Sequence, residues 1–586
     1  MPRVAIADRS KSSLRSVRRG INRTLGRLRS FSIAMPTLPG RGNRLIIAPQ
    51  DLRTADPTRA AEIYGGRFAF AGKVMVCDGR SPFEMIEPSD EWGEVLLSFG
   101  WLRHLRAADS AITRANARSL VDEWIGLQRG WNGPGWQPEV LSRRILSWLT
   151  QATLILDEAD EKFYRRFLRS LERQVNFLNS IARDAHNGVP RLQAYITLMY
   201  AALCMSSQQK NLRRATKHLV AELERQILPD GGHVGRNPGA LIELLLDLLP
   251  LGQAFAARNL PPPPQLMNAI DRMMPMLRFF RHGDGAFALF NGMGPTPPDL
   301  VATLIAYDDA HGTPVNNAVH SGYQRLEAEA TTVLMDTGRI PLLAVSSDAG
   351  AGCLAFELSA KAQRIVVNCG LPANAKENWR DFSRSTQAHS TVTFNNDSSC
   401  RFASDGPNRR QFGVPLTAGP QYVKVERGIE QDGTIVVRAS HDGYASRCNI
   451  THQRTLTLFA DGNKIDGEDM FTSTKGDVIP AKMHDEFAVQ FHLHPAIKAT
   501  RVADGHGAML VLPNRDVWNF HAHEDLIELE DSVYLGGQEG PRRTFQIVIR
   551  GHARQAPRLR WSFTRQQPSG RSKAGHPRGQ EPELPL

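Results

Sequence analysis

From about residue 90 to 310, apolar positions recur at spacings of three and four. Over 95–105, Val95, Leu96, Phe99, Leu102 and Leu105 share one helical face. The same spacing predicts helices near 110–127, 139–154, 159–182, 190–205, 211–227, 238–258, 264–278 and 298–309. Breakers separate them: Asn132-Gly133-Pro134-Gly135, Asn187-Gly188, and the run Pro261 to Pro264. Many helices joined by short loops pack as antiparallel hairpins, side by side in a toroid or stacked in a solenoid. No strict repeat supports the solenoid.

After about residue 315 the texture changes to short β-rich runs. They fall at 331–335, 352–359, 362–368, 391–394, 423–427, 434–440, 451–459, 464–471, 488–493, 508–512 and 545–550. Turns such as Gln431-Asp432-Gly433 and Asp461-Gly462-Asn463 separate them, with no helices between, which indicates an antiparallel β-sandwich. The chain therefore divides into a basic arm (1–45), a helical domain (46–312), a β domain (313–563) and a tail (564–586). The tail is rich in Pro, Gly, Arg, Ser and Glu and reads as disordered.

Composition narrows the function classes. The formal net charge of +11 points to a polyanionic partner, an acidic polysaccharide, nucleic acid or an anionic membrane. No zinc finger, RNP sequence or Walker loop is present, so nucleic acid is not expected. No stretch approaches the roughly 20 apolar residues of a membrane span. Six cysteines (Cys77, Cys204, Cys353, Cys369, Cys400, Cys448) lie far apart with no CxxC pair, which reads as buried thiols in a reducing compartment. In the arm, Leu14, Val17, Ile21, Leu25 and Leu28 form an apolar stripe flanked by arginines. That pattern fits a frayed arm or a basic amphipathic helix resting on an anionic membrane. No apolar h-region marks a signal peptide, which leaves a cytoplasmic or envelope-associated location open.

Three interhelical loops concentrate polar chemistry. One is Pro229-Asp230-Gly231-Gly232-His233-Val234-Gly235-Arg236-Asn237-Pro238; another joins Arg281-His282-Gly283-Asp284-Gly285 to Phe290-Asn291-Gly292; the third holds His186 and Asn187. Turn chemistry alone explains any single one, but three in one domain suggest a shared cleft. In the β half, 379–394 carries Arg380, Arg384, a Ser/Thr run and His389, a set suited to gripping an anion at the mouth of a strand. The helical half also gathers Trp92, Trp101, Trp124, Trp131, Trp136 and Trp148, as core or as stacking faces for sugar rings.

Asp-Gly-Gly-His followed by Asn-Pro, then Gly-Asp-Gly, then the Arg384–Val392 run and His441-Asp442-Gly443-Tyr444 together resemble the heparinase II/III family of polysaccharide lyases, as a divergent bacterial member. The resemblance spans roughly 90–560. It implies an α/α toroid joined to an antiparallel β-sandwich, with β-elimination at the uronic acid of an acidic polysaccharide such as a glycosaminoglycan. That chemistry needs a group to neutralise the substrate carboxylate and another to take the C5 proton. The resemblance places Asn187, or His186, near the neutraliser and His233 in the adjoining loop; Arg236, Asn237, Arg384 and Gln387 join them as substrate-binding candidates. It also implies a structural divalent metal, zinc by ligand type, on His389 and His441 with Asp405 or Asp397.

Two positions depart from the family pattern. The usual tyrosine base is replaced by Ala240, and a histidine two residues before His389 by Gln387. His233, Tyr323 and Tyr444 are the remaining proton carriers. The expected function is a divergent carbon–oxygen lyase. The rivals are a catalytically impaired acidic-polysaccharide-binding protein on the same scaffold and a glycoside hydrolase using Asp230 with Asp284.

Overall fold

The computed structural model describes residues 43–566, apart from 128–129, 131, 308–311, 373–376, 405–413, 477–478 and 480–484. Residues 1–42 of the basic arm, 567–586 of the tail, Trp131 and Asp405 lie outside the described residues; the first tail residues, Thr564 and Arg565, end the strand Arg558–Arg565.

A helical N-terminal half is followed by two antiparallel sheets, the α/α toroid and β-sandwich of the expected fold class. The helix Val189–Cys204 is apolar on nearly every side and buried along most of its length, as befits a central element. Pro138–Thr150, Leu212–Gln226 and Gly239–Ala257 pack around it. Gly239–Ala257 is long and apolar enough to cross a membrane, yet 67% of it is buried inside the fold, so it serves here as a core helix. The expected helix over 95–105 is broken: Phe99 adopts φ 58°, ending Asp90–Ser98 before Leu102–Ala108 begins. Before these lie the helix Pro57–Tyr64 and the hairpin Arg67–Phe70/Lys73–Val76.

One sheet takes eight strands in the order Val423–Ile429, Ile435–His441, Ile450–Leu458, Lys464–Ser473, Arg558–Arg565, Val517–Ala522, Gly507–Val511, Lys498–Arg501. The other has nine. It runs Ile527–Tyr534, Arg542–His552, Glu486–Leu493, Gln363–Val367, Phe356–Ala360, Thr331–Asp336, Tyr323–Ala328, Asn317–Ala318, and Val392–Phe394 pairs with Glu486–Leu493. Strict alternation over Ile450–Leu458 and Lys464–Ser473 turns every second side chain inward. The inward set packs around Trp518, Trp561, Phe491 and Phe563.

The two halves share a core. Tyr323, Leu334, Val367 and Tyr534 of the sandwich belong to the same buried cluster as the toroid helices. Trp92, Trp101, Trp124 and Trp148 are buried there too, so the core reading of these tryptophans holds. All six cysteines are buried and free.

Candidate functional site at the seam

The loop after Leu212–Gln226 is pegged into the sandwich. Asp230 accepts the Ser321 N–H at 2.7 Å and its hydroxyl at 2.9 Å. His233 Nδ1 accepts the Gly235 N–H at 3.1 Å, so the neutral ring carries its proton on Nε2, which faces Gln226 Oε1 at 3.2 Å. Burial pulls the His233 pKa down to about 4. Arg236 sits at φ 63°, a left-handed backbone that aims its side chain across the seam. It donates to the carbonyls of Ser321 (2.8 Å), Arg339 (3.1 Å) and Gly322 (3.1 Å) and to the Asp336 carboxylate. A methyl on Gly338 would fall 2.2 Å from this guanidinium, so glycine is required there. Burial lowers the Arg236 pKa, but Asp336 and Tyr323 outweigh it and the net shift is upward. The donors of Arg236 are thus spent on joining the two domains.

Tyr323 is likewise committed. Its hydroxyl donates to the Arg236 carbonyl at 2.7 Å and accepts from Asn291 Nδ2 at 2.6 Å. Burial raises its pKa well above that of a free phenol. Asn291 also donates to Asp336 at 2.9 Å and accepts the Gly350 N–H at 3.3 Å. The second loop is a further peg. His282 bridges Glu357 and Ser359, each at 2.9 Å, while Glu357 accepts from the main chain of Leu289 and Asn368. Asp284 pairs with Arg364 at 2.8 Å. The two carboxylates considered for hydrolysis, Asp230 and Asp284, are thus each tied to a structural partner.

The third loop meets the same seam. A methyl on Gly188 would lie 3.6 Å from His233 Cε1 and 3.5 Å from Val345 Cγ1, so Asn187-Gly188 rests on both. Asn187 is partly exposed, and His186 is exposed and paired with Glu139 at 2.9 Å. The next residue along, Ser346, accepts from Arg384 Nη2 at 3.0 Å, and Ala349 accepts from Arg384 Nε at 2.9 Å. Arg384 ends the short helix Glu377–Arg384, where a strand mouth was expected. It is buried, and among the described residues no carboxylate forms an ion pair with it. Burial lowers its pKa to about 10, which still leaves it charged at neutral pH. Gln387 is spent on the Asn396 carbonyl, and Asn237 accepts the Gly239 N–H at 2.8 Å.

The expected metal ligands do not assemble among the described residues. His389 Nδ1 donates to the Ser385 carbonyl at 2.7 Å. His441 Nδ1 accepts the Gly443 N–H at 3.0 Å, and its Nε2 faces His452 Nδ1 at 3.3 Å. His452 Nε2 in turn faces Asp469 at 2.7 Å, a carboxylate also held by Arg454 and Trp561. An ionised carboxylate only accepts, so each neutral ring must pass its proton toward Asp469. His441 then has no lone pair left for a cation. Burial first, then His452 and Arg454, hold its pKa well below that of a free imidazole. His441 so held offers a cation nothing, Asp405 lies outside the described residues, and among the described residues no group of three His, Cys, Asp or Glu is placed to hold a metal ion.

A cavity of about 670 Å³ opens on the seam. Arg236, His320, Arg339 and Arg427 line it, and among the described residues no Asp or Glu does.

Comparison with known proteins accords with this geometry. Residues 310–562 match the family model described as Heparinase II/III-like, C-terminal. Over 543 residues the chain is 31% identical to FtsZ-localized protein C of Caulobacter vibrioides (strain NA1000 / CB15N), covering 91% of this chain and 92% of that protein. The chain belongs to the heparinase II/III-like family. Among solved structures, heparan sulfate lyase HepC from Pedobacter heparinus aligns at a TM-score of 0.60, with 14% identity over 88% of this chain and 84% of that one. Heparinase III aligns at 0.64, with 15% identity over 84% and 80%. At these identities the likeness speaks for the fold.

Within this heparinase-like chain, Gly188 packs against His233 and Val345, Arg384 donates to the carbonyls of Ser346 and Ala349, and Arg236 and Tyr323 lock the seam beside them. His389 joins the same region by packing: a methyl on Gly352 would lie 2.9 Å from its Nε2. Sequence reasoning missed Asp336, Glu357 and the segment 345–350, where nothing but the fold brings remote groups together.

Proposed function

We propose that this chain binds an acidic polysaccharide at the seam and holds it without cleaving it. One observation carries this reading: the Tyr323 hydroxyl and both His233 nitrogens are consumed by internal hydrogen bonds. β-Elimination needs a group free to take the proton α to the carboxylate, and the position of the family's tyrosine is Ala240, buried in the helix Gly239–Ala257. Arg384 supplies the cation. Asp348 and Asp381 lie near enough to favour its charge, yet among the described residues it forms no ion pair, and a guanidinium suits carboxylate and sulfate geometry. The relative named FtsZ-localized protein C supports a role in which placement matters, and we extend localisation with FtsZ to this chain on that basis.

A second reading, lyase activity on the same polymer class, is favoured by Gly188, the neighbour of Asn187, packing against His233, since the family resemblance implies a carboxylate neutraliser at Asn187. Titration calorimetry with heparan sulfate, chondroitin sulfate, hyaluronan and alginate tests the proposal. Saturable binding to at least one, weakened at least about tenfold in Arg384→Ala, is expected. No binding to any of them overturns the proposal.

A further inference from the structure

The strand Val423–Ile429 is an edge. Among the described residues it pairs with Ile435–His441 on one side and with nothing on the other. An open edge presents a row of free N–H and C=O groups that invites another strand. Natural sheets blunt such edges with proline, bulges or very short strands; this one is seven residues long, with unbroken register and no proline.

Its surroundings are shaped for an occupant. Val423, Val425 and Arg427, alternate residues on one face, line the 670 Å³ cavity. The opposite wall is the chain 337–342, with Val319 and His320 beside it. Apolar exposure concentrates here: Val425 on the strand and Val319 and Leu342 beside it all line the cavity, and Leu342 is 75% exposed. The charge is one-sided as well. Arg339 is exposed, and Arg427 gives one N–H to Gln324 at 3.2 Å. Among the described residues neither forms an ion pair, and burial lowers the Arg427 pKa without any acid to counter it. The nearby acids are spoken for: Glu426 pairs with Lys424 and Arg438, Asp336 with Arg236, and Glu327 with Arg325.

We propose that this cavity docks an extended acidic peptide of a partner protein, added as a further strand along Val423–Ile429. Main-chain hydrogen bonds to the edge give affinity. Apolar side chains at alternate positions meet Val425, Val319 and Leu342, and carboxylates between them meet Arg339 and Arg427. A polysaccharide has no peptide backbone with strand-spaced N–H and C=O groups to continue the ladder and no apolar side chains for these contacts, so the peptide is favoured here. Arg384 is not among the residues lining the cavity, and the proposal does not rest on the polysaccharide reading.

The test uses the whole protein and a fluorescein-labelled peptide of about ten residues, a strand's length, alternating glutamate and valine. Anisotropy should report saturable binding. Binding should be at least about tenfold weaker for Arg339→Glu/Arg427→Glu and for a lysine–valine peptide. Amide hydrogen exchange of the wild-type chain should slow over 423–429 when peptide is bound. Absence of saturable binding, equal affinity in the double variant, unprotected amides at 423–429, or displacement by heparan sulfate would each overturn the proposal, the last by giving the cavity to a glycan.

Discussion

The Tyr323 hydroxyl donates to the main-chain carbonyl of Arg236 at 2.7 Å, and the Arg236 guanidinium lies 4.7 Å over the Tyr323 ring. Each residue holds the other, and between them the sandwich is bolted to the toroid loop. A phenol so placed is a fastener. Tyr323→Phe removes the donor to a buried carbonyl and the acceptor for Asn291, which should cost about 1–3 kcal/mol of stability. Chemical denaturation checks it, and glycan affinity should not move.

Several imidazoles are buried in the neutral form. Burial holds the pKa of both His233 and His492 near 4, against about 6.5 when unfolded. A depressed pKa means the stabilisation is complete above about pH 6.5 and is lost as pH falls toward 4. The gap of about 2.5 units corresponds to at most about 3 kcal/mol for each group. Denaturation midpoints measured between pH 7 and 4 should therefore fall steadily, and His233→Gln should flatten the slope.

Arg384 combines two duties that mutation can separate. Arg384→Lys keeps a cation but cannot reach both the Ser346 and Ala349 carbonyls as the planar guanidinium does. It should retain part of the glycan affinity, while Arg384→Ala loses at least about tenfold. Both should cost similar stability, on the order of 1–2 kcal/mol, from the lost carbonyl partners. Calorimetry beside thermal unfolding distinguishes a binding cation from a structural one.

With His441 and His452 both passing protons toward Asp469, the sandwich is braced by an internal network where the family resemblance implied a metal. Chelation by EDTA should leave the thermal midpoint within about 1 °C. Asp469→Asn should lower it by several degrees, because burial is expensive for the Arg454 charge left unpaired. Stoichiometric zinc in the purified chain would contradict this.

The helical half was legible because each toroid helix buries one face or is apolar throughout. Ala111–Leu127 and Gly239–Ala257 fall within a residue or so of the sequence reading. The break at Phe99 was not, since nothing local demands a left-handed phenylalanine. The helix Glu377–Arg384 is short and polar and looked like a strand's approach. The three loops were found by their Gly, Asp, His and Asn content. Their purpose was hidden because the deciding partners lie far along the chain: Ser321 for Asp230, Asp336 for Arg236, Glu357 for His282. Composition marks a polar loop, and only the fold reveals whether that loop faces a ligand or a neighbouring domain.

The central claim is retention of an acidic polymer without elimination. It is tested most directly by following the ultraviolet absorbance of newly formed unsaturated uronate while the wild-type chain is incubated with each polysaccharide it binds. Saturable binding with a flat absorbance trace is expected. A rising trace that scales with protein concentration would contradict it.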